Sequence, residues 1–176
     1  MSKIKQEQQT IDEKIVLDEL QQHGNENITL LSKKCGFAPQ KTRNLIKNLE
    51  KKKVILGYTT IVDEQKQGLQ KFFLLLKRSS TKLDSDIASK IVTDRFTKDL
   101  TDLGITIESS YFVHGEYDWF LVFTAPEINH AKRLVSLVLT RYPQLVSKYS
   151  IIQVLMTLKS SHIVNNDSIA KLRDFL

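Results

Sequence analysis

Three features predict an α+β chain with three helices ahead of a β-α-β-β-α-β half. Short apolar stripes at helical spacing fill the region before residue 53, interrupted at His23-Gly24-Asn25 and Cys35-Gly36. A basic run is confined to residues 33–53. After residue 70, apolar stretches of strand length alternate with two longer amphipathic segments.

The first half reads as follows. Thr10-Ile11-Asp12-Glu13 has the form of a capping box and precedes Ile11, Ile15, Val16 and Leu20, so a first helix is expected to end near Gln22. Thr29 is the expected N-cap of a shorter second helix, which Gly36 closes in a left-handed conformation. Pro39 suits the first turn of a third helix because its missing N–H is not needed there. Thr42, Leu45, Ile46 and Leu49 give that helix one buried stripe. Gln40, Lys41, Arg43, Asn44, Lys47, Asn48 and Lys51 face elsewhere.

A helix presenting Gln, Asn, Arg and Lys together offers base-edge donors and acceptors along with phosphate-neutralising charge. Lys33, Lys34, Lys41, Arg43, Lys47, Lys51, Lys52 and Lys53 are opposed in that segment only by Glu50. A solvated helix face is the alternative for such a run. Its place on the second helix of a helix-turn-helix favours DNA, with Gln40, Lys41, Arg43, Asn44 and Lys47 toward the major groove and Lys51–Lys53 nearer the backbone. Val54 to Val62, β-branched and aromatic around Gly57, reads as a two-stranded wing.

In the second half, Phe72–Leu76 is a buried strand and Asp84–Leu103 a helix carrying Ile87, Ile91, Val92, Phe96, Leu100 and Leu103, closed by Gly104. Ile105–Val113 alternates as a strand, His114-Gly115-Glu116 turns, and Tyr117–Phe123 returns. A helix with Ile128, Ala131, Leu134, Val135, Val138 and Leu139 ends before Pro143, and Tyr149–Leu158 is the last strand. This order is ferredoxin-like. Helices cover one sheet face. Tyr111, Val113, Trp119, Leu121, Ile151 and Leu155 are too apolar for the rest to be wet, so a homodimer through the sheets is expected.

Composition narrows the function classes. Apolar residues make up 41% and charged residues 26%, as in soluble globular chains. No apolar run approaches the roughly 18 residues of a membrane span, and the polar start does not resemble a secretory signal. The single cysteine, Cys35, suits a reducing cytoplasm and a small core position. The net charge of +6 is spread over both halves, so the local basic run is the informative part. No phosphate loop, metal-ligand cluster or nucleophile motif is present; His23, His114, His130 and His162 are scattered, and no cofactor, metal or enzymatic activity is expected. Asp12/Glu13 and Asp84/Asp86 fall at expected helix starts, where the dipole favours acids.

Ile11-Asp12-Glu13-Lys14-Ile15, Cys35-Gly36-Phe37-Ala38-Pro39, Leu49–Ile55 and Gly57-Tyr58 through Gly68-Leu69 resemble the Lrp/AsnC (feast/famine) regulators in order and spacing. Ala38 stands where the family prefers serine, Leu45 where it has arginine, and Lys53 where it has glycine before the wing. The resemblance implies an effector-sensing second half. The family's glycine-x-tyrosine-aspartate turn is matched by Gly115-Glu116-Tyr117-Asp118, which implies effector contacts at Gly115, Tyr117 and Asp118. Read without the family, the same turn is an ordinary hairpin with Asp118 as an acceptor. Siroheme decarboxylases resemble the same architecture, but their His-x-Tyr-x-Arg cluster is matched only by His114-Gly115-Glu116-Tyr117-Asp118, without the arginine.

The expected organisation is a winged helix-turn-helix domain over 1–62 and a linker over 63–70. A ferredoxin-like sensing and oligomerising domain follows over 71–159, then a tail with a short helix over 160–176. The expected function is a cytoplasmic, sequence-specific regulator acting on double-stranded DNA as a homodimer or larger even-numbered oligomer, modulated by a small molecule such as an amino acid. An architectural DNA-coating protein is the alternative; salt slope and specificity ratio separate the two.

Overall fold

The computed structural model describes residues 3–80 and 97–175. The chain divides into two compact units, one of residues 1–61 with 157–176 and the other of residues 62–156.

The first unit is built on α1 (Lys3–His23), α2 (Ile28–Cys35) and α3 (Pro39–Lys51). The capping-box expectation fails. α1 runs through Thr10, whose hydroxyl donates to the Gln6 carbonyl in mid-helix. Gln and Glu before it are good helix formers, and the Gln8–Asp12 and Gln9–Glu13 side-chain bonds, both 3.0 Å, support the added turns. The expected stripe is also rotated: Val16 is buried, whereas Ile11 and Ile15 are exposed and Asp12 and Glu13 turn inward. The cap of α2 is Asn27 rather than Thr29, its Oδ1 accepting the Leu30 N–H at 2.9 Å.

Two matching C-terminal motifs follow. At the end of α2, Phe37 N–H donates to the Ser32 carbonyl and Gly36 N–H to that of Lys33, with Gly36 at φ 71°. At the end of α3, Val54 N–H donates to Leu49 and Lys53 N–H to Glu50, with Lys53 at φ 58°. Both are Schellman closures; in the second a lysine occupies the left-handed position that glycine takes without strain. Val16, Leu31, Cys35 and Leu45 form the buried centre, with Leu20, Ile28, Phe37 and Ile46 packed against it.

The wing expected over 54–62 is absent as a hairpin: that stretch forms no strand and pairs with none among the described residues. Its residues are exposed apart from half-buried Ile55, so the apolar cover that would hold a two-stranded ribbon is missing, and Leu56 is 87% exposed.

The second unit is a four-stranded antiparallel sheet in the order β2-β3-β1-β4, the ferredoxin-like order. Its strands are β1 (Gln70–Arg78), β2 (Thr106–Phe112), β3 (Trp119–Ala125) and β4 (Val146–Gln153). α4 (Thr97–Asp102) and α5 (Ile128–Arg141) are its helices. Of the helix expected over 84–103, Ile87, Ile91, Val92 and Phe96 lie outside the described residues; Leu100 is buried in the core. Gly104 closes α4 at φ 62°. The last strand stops at Gln153, short of the expected Leu158.

Alternation sorts the sheet. Phe72, Leu74 and Leu76 of β1 and Trp119, Leu121 and Phe123 of β3 are buried with Ala131, Leu134, Val135 and Val138 of α5. Trp119, Leu121 and Ile151 therefore belong to the helix-covered core, not to the open face expected of them. The open face carries Phe73, Leu75, Phe120, Val122 and Ile152, cross-strand neighbours by register. In β2 a register shift between Ile107 and Ser109 flips the pattern, so Ile107 packs on the core while Tyr111 pairs with Phe120.

After β4 the chain rejoins the first unit. β5 (Lys159–Ser160) and β6 (Ile163–Val164) form a two-stranded hairpin, followed by α6 (Asn166–Phe175). The tail was expected to be a polar link and helix; the hairpin is additional, and Leu176 lies outside the described residues.

Candidate nucleic-acid interface and the turn of the sheet

Thr42, Leu45 and Leu49 bury one side of α3, which fixes what the other side shows. Gln40, Lys41, Arg43, Asn44, Lys47 and Lys51 are all exposed on this helix. They fall into two kinds. Gln40 Nε2 donates to Asn44 Oδ1 at 3.2 Å, so these two amides form one polar pair a turn apart. Arg43, Lys47 and Lys51 form no ion pair among the described residues, so an outside partner can meet them.

Lys41 is held differently. Its Nζ lies 2.6 Å from Asp12 Oδ2 and 4.1 Å from the centre of the Phe37 ring. The ammonium, donating to Asp12, holds that carboxyl below the usual aspartate range. Lys52 is tied to α1 in the same way, donating to Glu13 Oε1 at 2.7 Å and Oε2 at 2.8 Å. The inward acids of α1 therefore brace both ends of α3, a role the sequence concealed because Asp12 and Glu13 read as dipole partners at a helix start. Ala38 caps α3 without a side-chain bond, and the helix starts on Pro39. Tyr58 donates to Glu50 Oε1 at 2.8 Å, anchoring the segment after α3 to that helix's last turn.

The β2–β3 turn has its own charged cluster. Asp118 Oδ2 accepts the Arg78 N–H at 2.8 Å, and the Asp118 N–H donates to the Leu76 carbonyl at 3.0 Å, so this residue locks the turn to β1. Lys77 Nζ donates to the Glu116 carbonyl at 2.8 Å. Lys148 Nζ donates to Glu116 Oε1 at 2.8 Å and lies 5.4 Å from the Tyr117 ring centre. Each charge steadies the other: Lys148 lowers the pKa of the Glu116 carboxyl, and Glu116 raises that of the Lys148 ammonium. Gly115 is exposed, is not in a positive-φ conformation and has open space where a Cβ would lie. Lys77 and Lys148 were missed in the sequence, because only the β1–β4 pairing, Lys77 opposite Lys148, brings them to the turn.

A third cluster joins the connector to the sheet. Lys71, with only 12% of its side chain exposed, lies 2.5 Å from Glu64 Oε1 and 3.0 Å from Glu108 Oε2. Glu108 stands at the β2 register shift, which no alternation pattern reveals. Among the described residues no helix is long and apolar enough to cross a membrane, and no group of His, Cys, Asp or Glu has the arrangement of a metal site.

No family model matches the sequence. The chain is 35% identical over 85 residues to a helix-turn-helix-type transcriptional regulator of Pyrococcus furiosus, a match covering 47% of this chain and 54% of that protein. The chain thus spans about half the length of that relative. It is 28% identical over 123 residues to the transcriptional regulator AzlB of Bacillus subtilis, covering 70% and 74% of the two chains. Among solved structures it resembles the feast or famine regulatory protein of Mycobacterium tuberculosis complexed with L-methionine. That likeness has a TM-score of 0.67 at 18% identity, over 85% of this chain and 94% of the other.

Proposed function

We propose that this chain, which has the fold of the Lrp/AsnC regulators, is a DNA-binding transcriptional regulator modulated by a small molecule. The observation that carries the reading is the exposed side of α3. Arg43, Lys47 and Lys51 stand unpaired beside the Gln40–Asn44 amide pair, on the second helix of a helix-turn-helix. Arg43, Gln40 and Asn44 suit base edges, Lys47 and Lys51 suit phosphates, and Lys41 contributes from a position fixed by Asp12. No enzymatic step is part of this reading.

The working form is a homodimer. Phe73, Leu75, Tyr111, Phe120, Val122 and Ile152 make an apolar open sheet face that a second copy covers. The stretch with exposed Val54, Leu56, Tyr58 and Ile61 is a further apolar surface for the partner. Two copies present two recognition helices, which fits an imperfect inverted repeat with half-sites about one helical turn, or a multiple of it, apart.

In this reading the effector binds at Gly115, Tyr117 and Asp118. A free amino acid needs a cation for its carboxylate and an anion for its ammonium, and Lys77, Lys148, Glu116 and Asp118 surround this turn. The M. tuberculosis neighbour was solved with L-methionine. The cytoplasm is the compartment that this reading requires.

The test is duplex binding by wild type, Arg43→Ala and Lys51→Ala. Arg43→Ala is expected to narrow the gap between a selected and a random duplex. Lys51→Ala is expected to weaken both alike and reduce the salt slope by about 1. Equal losses on both duplexes for both variants would refute this division of roles.

A further inference from the structure

We infer that the C-terminal hairpin, Lys159–Val164, is a second DNA-contacting element that does the work expected of a wing, with its tip residues Ser161 and His162 and the flanking Lys159 and Ser160 directed at the phosphate backbone. This rests on the regulator reading above and extends it to a segment of the chain that reading does not use. Residues 157–176 form one compact unit with 1–61, although 95 residues of the other unit separate them in sequence. The recognition helix and this hairpin therefore belong to the same compact unit.

The hairpin is built as a projecting loop. Lys159 pairs with Val164 and Ser160 with Ile163, leaving Ser161 and His162 as a two-residue tip. Ser161 takes φ 51°, a left-handed conformation that tightens the tip at some cost to a non-glycine residue. The base is closed by Asn165 N–H donating to the Leu158 carbonyl at 2.9 Å. Asn165 Oδ1 accepts the Ser168 N–H at 3.2 Å, and Ser168 is buried, so the hairpin is followed by a capped and seated helix rather than a loose end.

Beside exposed Ile163 and Val164, the hairpin offers polar side chains suited to a phosphate backbone. Lys159, Ser161 and His162 are exposed, and from Thr157 to Asn166 there is no acid. Lys159 and His162 form no ion pair among the described residues. An ammonium, two hydroxyls and an imidazole are phosphate donors that carry no base code, so the contact adds affinity and orientation without sequence preference. The stretch at 54–62, where a wing was expected, has no cation beyond Lys53 before it and no hairpin to present one.

The experiment uses the full chain and a fluorescein-labelled mixed-sequence duplex of about 30 base pairs, titrated between roughly 50 and 200 mM KCl. The doubly substituted Lys159→Ala/His162→Ala protein is compared with wild type, with Lys51→Ala, and with Lys132→Ala, an exposed lysine of α5 in the other unit. Circular dichroism melts verify that each variant folds. The expected result is an affinity loss of about 5–10-fold and a salt slope lower by about 1 for the hairpin variant, with Lys132→Ala unchanged. Wild-type affinity and slope in the hairpin variant, with Lys51→Ala still weakened, would overturn this inference and leave the regulator reading standing. An equal loss in Lys132→Ala would overturn it too, by showing that net charge alone is sensed. Failure of the wild type to bind any duplex would remove both.

Discussion

Asp12 of α1 and Lys41 of α3 meet at 2.6 Å across the helix-turn-helix, the carboxylate inward and the ammonium at the exposed edge of the recognition helix. The pair is structural and also sits where DNA is proposed to lie. It sets a fixed position for Lys41 while placing a negative charge beside the phosphates.

Removing that charge is expected to help binding. Asp12→Asn should tighten duplex affinity about threefold and steepen the salt slope by up to about 1, because Lys41 becomes free for a phosphate. Fluorescence anisotropy at several salt concentrations measures this; weaker binding by a folded Asp12→Asn protein would show that the pair positions α3 for DNA.

The same pair has a pH signature. The Asp12 carboxyl is held below its ordinary value by the Lys41 hydrogen bond, so the native state binds its proton less readily than the unfolded chain. Its contribution to stability is complete above the unfolded pKa near 4 and is lost as pH falls through the lower folded value. Thermal melts between about pH 5 and 2 should therefore show a shallower acid decline in Asp12→Asn than in wild type.

Lys53 offers a stabilising change. It occupies the left-handed closing position of α3 at φ 58°, matching Gly36 at φ 71° after α2. Lys53→Gly should raise stability by about 1 kcal/mol, read as a higher denaturant midpoint. An unchanged or lower midpoint would mean that glycine's unfolded-state entropy offsets the relieved strain.

Lys71 lies between Glu64 and Glu108, and its removal leaves two poorly solvated carboxylates facing each other. Lys71→Ala is expected to cost about 2–3 kcal/mol, less than a fully buried pair because Glu108 is a third exposed. Burial works to lower the Lys71 pKa, and the hydrogen bonds and charges of Glu64 and Glu108 outweigh it, so the folded value is raised. The corresponding stability is present below the unfolded pKa near 10.4 and is lost as pH rises through the higher folded one. Denaturant melts at about pH 7 and 11 test both statements.

The parts legible in the sequence are those governed by local periodicity. The α3 stripe at Thr42, Leu45 and Leu49, the Gly36 and Gly104 closures and the strand–helix order of the second half all follow from residue spacing. The misreadings come from non-local effects. A one-residue register shift at Glu108 sends Ile107 and Tyr111 to opposite faces, and no alternation rule contains it. Ile11 and Ile15 look like core residues until α3 supplies Lys41 and Lys52, whose charges draw Asp12 and Glu13 inward in their place. At the proposed DNA surface the exposed side chains of α3 were readable. The ties that fix Lys41 and bring Lys148 to the Glu116 turn depend on contacts between segments far apart in sequence.

The most direct measurement is a selection of genomic fragments by the purified chain at moderate salt, followed by affinity titration of the enriched sequences. A DNA-reading homodimer predicts an enriched inverted repeat bound at least about a thousandfold more tightly than random DNA, with Arg43→Ala eroding that ratio. Uniform recovery of fragments with no repeat would contradict sequence-specific regulation and point to a protein that coats DNA through phosphates alone.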